Sequence, residues 1–166
     1  MVIIREIEAR DNVALAAVIR RVLTEFGANQ PGFAWQDPSL DQMYQTYQDE
    51  KCHYLVIEQD GVLLGGGGIG PLAGNDDGVC ELQKMYLAAA GRGFGWGRQL
   101  LVRLEEWAAQ HYCYCYLETL ASMAAANVLY LHQGYRRLQQ PKGCTGHGGC
   151  DTWYGKSLAA IPVDRV

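Results

Sequence analysis

Arg92-Gly93-Phe94-Gly95-Trp96-Gly97-Arg98 stands between an apolar run, Leu82 to Leu87, and an amphipathic segment, Leu100 to Ala109. A strand that ends in a glycine-rich turn and opens a helix directs several unbonded N–H groups at one point, with the helix dipole behind them. Such a point attracts phosphate. The spacing excludes two nucleotide loops. A Walker A loop requires Gly, four residues, Gly, Lys and Ser or Thr, and a dinucleotide fingerprint would place its third glycine on Trp96, Arg98 or Leu100. What remains is Arg-x-x-Gly-x-Gly at Arg92, Gly95 and Gly97.

Downstream of the turn, Leu100, Leu101, Leu104, Trp107 and Ala108 form a helical apolar stripe, with Arg103, Glu105, Glu106 and Gln110 expected outside. Cys113 to Thr119 reads as a strand, and the intervening helix makes it a parallel neighbour of the strand Val79 to Leu87. On the latter, alternation predicts Cys80, Leu82, Lys84 and Tyr86 on one side and Val79, Glu81, Gln83, Met85 and Leu87 on the other. Neither side is purely apolar, so this strand is expected to line a site. Ser122 is a candidate cap for a helix through Leu131 that ends at Gly134. A strand at Tyr135 to Leu138, a glycine-rich loop from Pro141 to Asp151 and a closing strand at Thr152 to Leu158 follow.

Upstream, Val2 to Ile7 reads as a first strand, and Leu15, Val18, Ile19, Val22, Leu23 and Phe26 recur at helical spacing before Gly27. A loop rich in Asn, Gln, Pro and Gly carries Phe33 and Trp35, candidates for lining a substrate site, and leads to a second helix near Ser39 to Asp41. Strands at His53 to Glu58 and Val62 to Leu64 flank Asp60-Gly61, a hairpin signal. The run from Gly65 to Gly70 formally contains dinucleotide spacing at Gly65, Gly67 and Gly70. Pro71 and the turn residues Gly74 to Gly78 follow in place of the required helix. A bulged strand approached closely by backbone or ligand accounts for the glycines better.

The 166 residues suffice for one domain, residues 1–166, without an internal repeat or linker, and the 49% apolar and 19% charged composition is that of an ordinary globular chain. A net charge of −4 argues against a nucleic-acid surface. The N-terminus meets Arg5 and Glu6 after three apolar residues, which is neither a signal peptide nor a membrane span, so a cytoplasmic location is expected. The six scattered cysteines read mostly as buried thiols.

The glycine turn at Arg92 to Arg98 strongly resembles the acyl-coenzyme-A loop of the GCN5-related N-acetyltransferase (GNAT) superfamily. Glu81 to Leu87 resembles the family's central strand, and Ala126, Leu129-Tyr130 and Gly134-Tyr135 resemble its later helix-and-strand motif. The resemblance implies an α/β (α+β) single-domain fold with a mixed, mostly antiparallel, splayed sheet of about seven strands flanked by about four helices. It implies that acetyl-CoA is the acyl donor. The cofactor-binding residues are then Met85, Tyr86, Leu87, Arg92, Gly93, Phe94, Gly95, Trp96, Gly97 and Arg98, with Arg92 and Arg98 reaching phosphate oxygens. Tyr130 occupies the position of the family's general acid, and Glu81 matches a frequent general base, on the same side of its strand as Met85. Glu118 is a second candidate at the amine end. The implied partner is a small-molecule amine, such as an amino acid, polyamine or aminoglycoside, with no nucleic acid and no membrane; dimerisation is common in the family. A non-catalytic acyl-CoA-binding module and acetylation of a protein amine are the alternatives. One departure concerns the asparagine that members often carry seven residues before the tyrosine. Met123 stands there, with Ser122 and Asn127 as possible substitutes.

Cys144, His147 and Cys150 place three soft ligands within seven residues. The spacing matches no zinc pattern and lacks a strong fourth ligand, so no metal is expected. His147 is instead a candidate substrate-pocket residue.

Overall fold

The computed structural model describes residues 1–158. Its seven-stranded sheet consists of β1 (Val2–Glu6), β2 (His53–Gln59), β3 (Val62–Pro71), β4 (Val79–Leu87), β5 (Tyr114–Thr119), β6 (Arg136–Leu138) and β7 (Thr152–Ser157), in the order β1-β2-β3-β4-β5-β7-β6. Only β4 and β5 are parallel. The α-helices are α1 (Asn12–Glu25), α2 (Met43–Thr46), α3 (Trp96–Ala108) and α4 (Ala124–His132). This is the mixed, mostly antiparallel α+β architecture that the family resemblance implied. No helix among the described residues is long and apolar enough to cross a membrane.

Two apolar layers sandwich the sheet. Against one face α1 buries Leu15, Ile19 and Leu23 beside Tyr54, Val56 and Met43. Each such aliphatic side chain withdrawn from water contributes about 1.5–3 kcal/mol. Gly27, with φ of 71°, ends this helix in the left-handed conformation that its sequence position suggested. On the other face α3 buries Leu100, Leu101 and Leu104, joined by Tyr130 of α4. Glu105 departs from the helical pattern and is buried. Its carboxylate accepts hydrogen bonds from Lys156 Nζ at 3.0 Å and Gln133 Nε2 at 3.1 Å, because that flank of α3 meets β7 and the end of α4 rather than solvent.

Asp60 and Gly61 both take positive φ in the β2–β3 hairpin, as the Asp-Gly step requires. The whole glycine run belongs to β3, and its bare Cα atoms make room for aromatic rings. A Cβ at Gly68 would lie 2.5 Å from the Tyr54 ring and 2.8 Å from the Tyr47 ring. Opposite Gly67 the pairing slips, since Gly66 faces Tyr86 while Gly68 faces Gln83. Two β4 residues, Lys84 and Met85, therefore stand against one glycine, and Lys84 adopts φ of 46°. The Tyr54 hydroxyl holds this bulge by donating to the Lys84 carbonyl at 2.8 Å.

The bulge overturns the uniform alternation expected for β4. Cys80 and Leu82 precede it and face α3, whereas Met85 and Leu87 do so after it. Tyr86 joins the α1 layer, and Gln83 accepts from Tyr47 on that side. Glu81 is thus placed with Gln83 and not, as alternation suggested, with Met85.

Smaller departures have local causes. The second helix begins as a 3-10 turn, Pro38–Asp41, and continues as the one-turn α2. Met123 rather than Ser122 is the N-cap of α4.

Candidate active site

The parallel pairing of β4 and β5 stops early. Val79, Cys80 and Glu81 pair with Tyr114, Cys115 and Tyr116, and beyond Glu81 the strands diverge. The resulting wedge has Glu81 near its vertex and opens into two cavities that meet along Met85, Tyr86, Met123, Ala126 and Tyr130.

The larger cavity, about 480 Å³, is a groove with mostly apolar walls. Met85, Tyr86 and Leu87 form one side, and Ser122, Met123, Ala124, Ala125, Ala126 and Leu129 the other. Arg92, Gly93, Gly95, Gly97 and Arg98 close its end. Gly93 and Gly95 have φ of 86° and 80°, conformations that side chains rarely adopt. Gly95 caps α3, whose first internal bond runs from Gln99 N to Gly95 O. The amides of Trp96, Gly97 and Arg98 precede that bond and have no carbonyl of the helix to meet. A dianionic phosphate suits such an end.

The turn's side chains divide sharply. Arg98 is exposed at the groove end. Arg92, expected at phosphate, is committed within the protein. Its Nε donates to the Leu87 carbonyl at 2.9 Å, and its two terminal nitrogens grip Glu25 at 2.6 and 2.8 Å. That fork ties the turn to the end of α1. Phe94 and Trp96 stack with centroids 4.7 Å apart, Phe94 being 64% exposed and Trp96 packed on the α3 core. Neither ring lines the groove, so only their backbone remains near the ligand space.

The smaller cavity, about 70 Å³, holds the candidate acid–base groups. Glu81 is 8% exposed, and burial pushes its carboxyl up to about 7, against a lowering contribution from the Gln83 side chain. Tyr130 lines both cavities, and burial raises its phenol further above the ordinary value, so it is protonated at neutral pH. Glu118 is oriented by Tyr116, whose hydroxyl donates at 2.8 Å, and by the Thr145 hydroxyl. Phe33 and His147 line this cavity as well. Trp35 does not; it is 36% exposed on a 3-10 turn beside it.

Asn127 is spent elsewhere. Its amide donates to the carbonyls of Leu120 and Met123 at 2.9 and 2.8 Å, and it accepts from the Tyr154 hydroxyl at 2.7 Å. It braces the turn into α4, leaving Ser122 as the polar side chain of that turn beside the groove.

The Cys144–Cys150 loop folds over the smaller cavity. Cys144 is exposed, while Cys150 lines the cavity with its thiol pushed up to about 12 by burial. Among the described residues no three His, Cys, Asp or Glu side chains are grouped to hold a metal ion. His147 instead meets Asp37, with Nε2 at 3.0 Å from both carboxylate oxygens, and Lys84 Nζ reaches the same carboxylate at 3.0 Å. Sequence reasoning did not single out Asp37. It lies 110 residues from His147, and nothing in its surroundings beyond the following Pro38 marks it.

Comparison with known proteins agrees with this fold. The model of the acetyltransferase (GNAT) family matches residues 19–135. The uncharacterized N-acetyltransferase YjgM of Escherichia coli strain K12 is 41% identical over 151 residues, 90% of each chain. A GNAT-family acetyltransferase from Staphylococcus aureus Mu50 superimposes with a TM-score of 0.81 at 19% identity, covering 96% of this chain and 100% of its own. The Salmonella typhimurium protein yncA, solved with its cofactor acetyl-CoA, gives 0.74 at 22% identity, covering 96% and 95%.

Proposed function

The chain belongs to the acetyltransferase (GNAT) family, and we propose that it moves the acetyl group of acetyl-CoA directly to a primary amine of a small molecule within one ternary complex. One observation carries this reading. An apolar groove with a phosphate-suited end meets a small acid-lined cavity at the β4–β5 wedge, and Tyr130 lines both.

The groove suits acetyl-CoA, the ligand of the Salmonella neighbour. The Trp96, Gly97 and Arg98 amides with the Arg98 guanidinium take the pyrophosphate, and the edge of β4 past Glu81, unpaired toward β5, takes the pantetheine. The Leu87 carbonyl already serves Arg92, so Met85 is the better backbone partner. These residues bring the thioester to the wedge.

There Glu81 acts as the base. A carboxyl near 7 is about half ionised at neutral pH and strong enough to accept a proton from the incoming ammonium. The freed amine nitrogen attacks the thioester carbonyl, the Met85 amide at the bulge holds the oxyanion, and the second proton that the nitrogen sheds as the amide forms passes to solvent. As the C–S bond breaks, the Tyr130 hydroxyl gives its proton to the departing sulfur and is later replenished from solvent. Glu118 orients the amine end.

The acceptor cavity, about 70 Å³, is small beside the donor groove and suits the head of a compact amine. Thiol release from acetyl-CoA over a library of primary amines tests the reading, with N-acetylated product expected for a subset of compact amines. Binding of acetyl-CoA without release for any amine would make the chain a binding module, and release with peptide amines alone would make the acceptor a protein.

A further inference from the structure

The acceptor cavity is covered by two segments far apart in sequence, 28–41 and 142–151, and their junction is a cluster of opposed charges. Gln36 Nε2 donates to the Gly146 carbonyl at 3.0 Å, and Gly149 N donates to the Gly32 carbonyl at 2.8 Å. The Phe33 ring fills the space that a Cβ on Gly149 would need, 2.5 Å from it. At the centre Asp37 accepts from both His147 and Lys84. Lys84 can reach it because the bulge turns this residue out of the alternation of β4. All three side chains are largely shielded, at 20%, 18% and 10% exposure for Asp37, His147 and Lys84.

We propose that Asp37 is a positioning residue for the acetyl transfer: by holding the His147 imidazolium and the Lys84 ammonium over the acceptor cavity, it sets the charge state in which Glu81 meets the amine. The inference rests on the functional reading above only in assigning Glu81 its role.

The charges around Glu81 give the direction. Lys84 on β4 and His147 on the covering loop favour its ionised form, while Glu118 on β5 opposes it. Its uncharged titratable neighbours are Cys80 and Tyr86 on β4, Tyr116 on β5, Tyr47 after α2 and Cys150 on the loop. Contact with Asp37 raises the affinity of His147 for its proton, against the opposing effect of burial. The same contacts hold the Asp37 carboxyl below its usual range despite burial. The raised histidine makes the cluster complete below its folded titration point and weakens it as pH rises through that point. Losing the Asp37 charge neutralises His147 at a lower pH and so removes one cation beside Glu81, which outweighs the weaker direct effect of the lost Asp37 anion and moves the Glu81 titration upward.

Titration by NMR of isotopically labelled protein tests this without any amine. In Asp37→Asn the His147 protonation midpoint is expected to fall toward that of an unpaired histidine and the Glu81 carboxyl midpoint to rise. His147→Gln, which leaves the Asp37–Lys84 pair intact, is expected to raise the Glu81 midpoint too. With an amine that the wild type acetylates, the acid limb of kcat/KM moves to higher pH in both variants. A half-unit displacement appears as about threefold loss on the acid side that vanishes in alkali. An unmoved Glu81 midpoint in either folded variant would overturn the proposal, as would an unmoved His147 midpoint in Asp37→Asn. Neither result bears on whether the chain is an acetyltransferase, which thiol release decides separately. If Asp37→Asn does not fold, the wild-type His147 midpoint and the Glu81 midpoint in His147→Gln decide together: the first at or below that of an unpaired histidine, or the second unmoved, would overturn the proposal.

Discussion

The groove proposed for the acyl donor and the cavity proposed for the acceptor share the β4–β5 wedge but are built differently. The groove comes from two continuous stretches, 85–98 and 122–130, with support from Val22 and Phe26 of the first helix region, and its anion-binding end is backbone. The cavity is lined by β4 and β5 residues 81–86 and 117–120 together with side chains from four more places, among them Leu23, Phe33, Tyr130 and His147, and its cover is closed by side-chain charges. Backbone recognition of a common cofactor needs glycines at fixed offsets. Recognition of a particular amine needs individual side chains, which any loop can supply.

Substitutions should therefore separate the two halves. The largest effect is expected at Tyr130, which borders both: Tyr130→Phe removes the proton donor without changing groove volume, so kcat should fall about 100-fold or more with the KM for acetyl-CoA nearly unchanged. Equal loss in binding and turnover would mean that this phenol shapes the groove instead. Glu81→Gln should lower kcat/KM for the amine by a similar or smaller factor. It should also abolish a limb that in the wild type rises with pH through about 7, because the base acts only when ionised. Persistence of that limb would assign it to another group.

On the donor side, Gly95→Val forces a β-branched side chain to φ of 80° at the α3 cap. Acetyl-CoA affinity, read by calorimetry, should drop about tenfold or more while acid-limb titrations stay in place; a shifted limb with intact affinity would erase the distinction between the halves. The smallest effect is expected at Asn127→Ala. It breaks three hydrogen bonds that brace the turn into α4, and about 1–3 kcal/mol of stability should be lost in chemical unfolding.

The same contrast governs how much the sequence reveals. Apolar periodicity placed α1 and α3, and Asp60-Gly61 placed the hairpin, because each signal is local. The donor turn was legible for the same reason, with Gly93 and Gly95 needed at positive φ. Three features were hidden because their causes are tertiary. The glycine run announced a bulge, but its extra residue lies on β4 at Lys84, held by Tyr54 of β2 opposite Gly67 of β3, and it reversed the facing of Met85 relative to Glu81. Glu105 reads as a surface residue until Lys156 of β7 is placed beside it. Asp37 acquires meaning only when folding brings His147 and Lys84 to it. Arg92 carries a related lesson, since a basic residue in a phosphate-suited turn was taken up by Glu25 of the first helix.

The most direct measurement is a crystal structure of the protein with acetyl-CoA and an unreactive analogue of an accepted amine. The account predicts pyrophosphate on the Trp96 to Arg98 amides, pantetheine between β4 and β5, and the thioester sulfur within about 3.5 Å of the Tyr130 hydroxyl with the amine on the Glu81 side. A thioester placed away from the wedge, or an amine separated from Glu81 by the closed cover of Phe33 and His147, would contradict it.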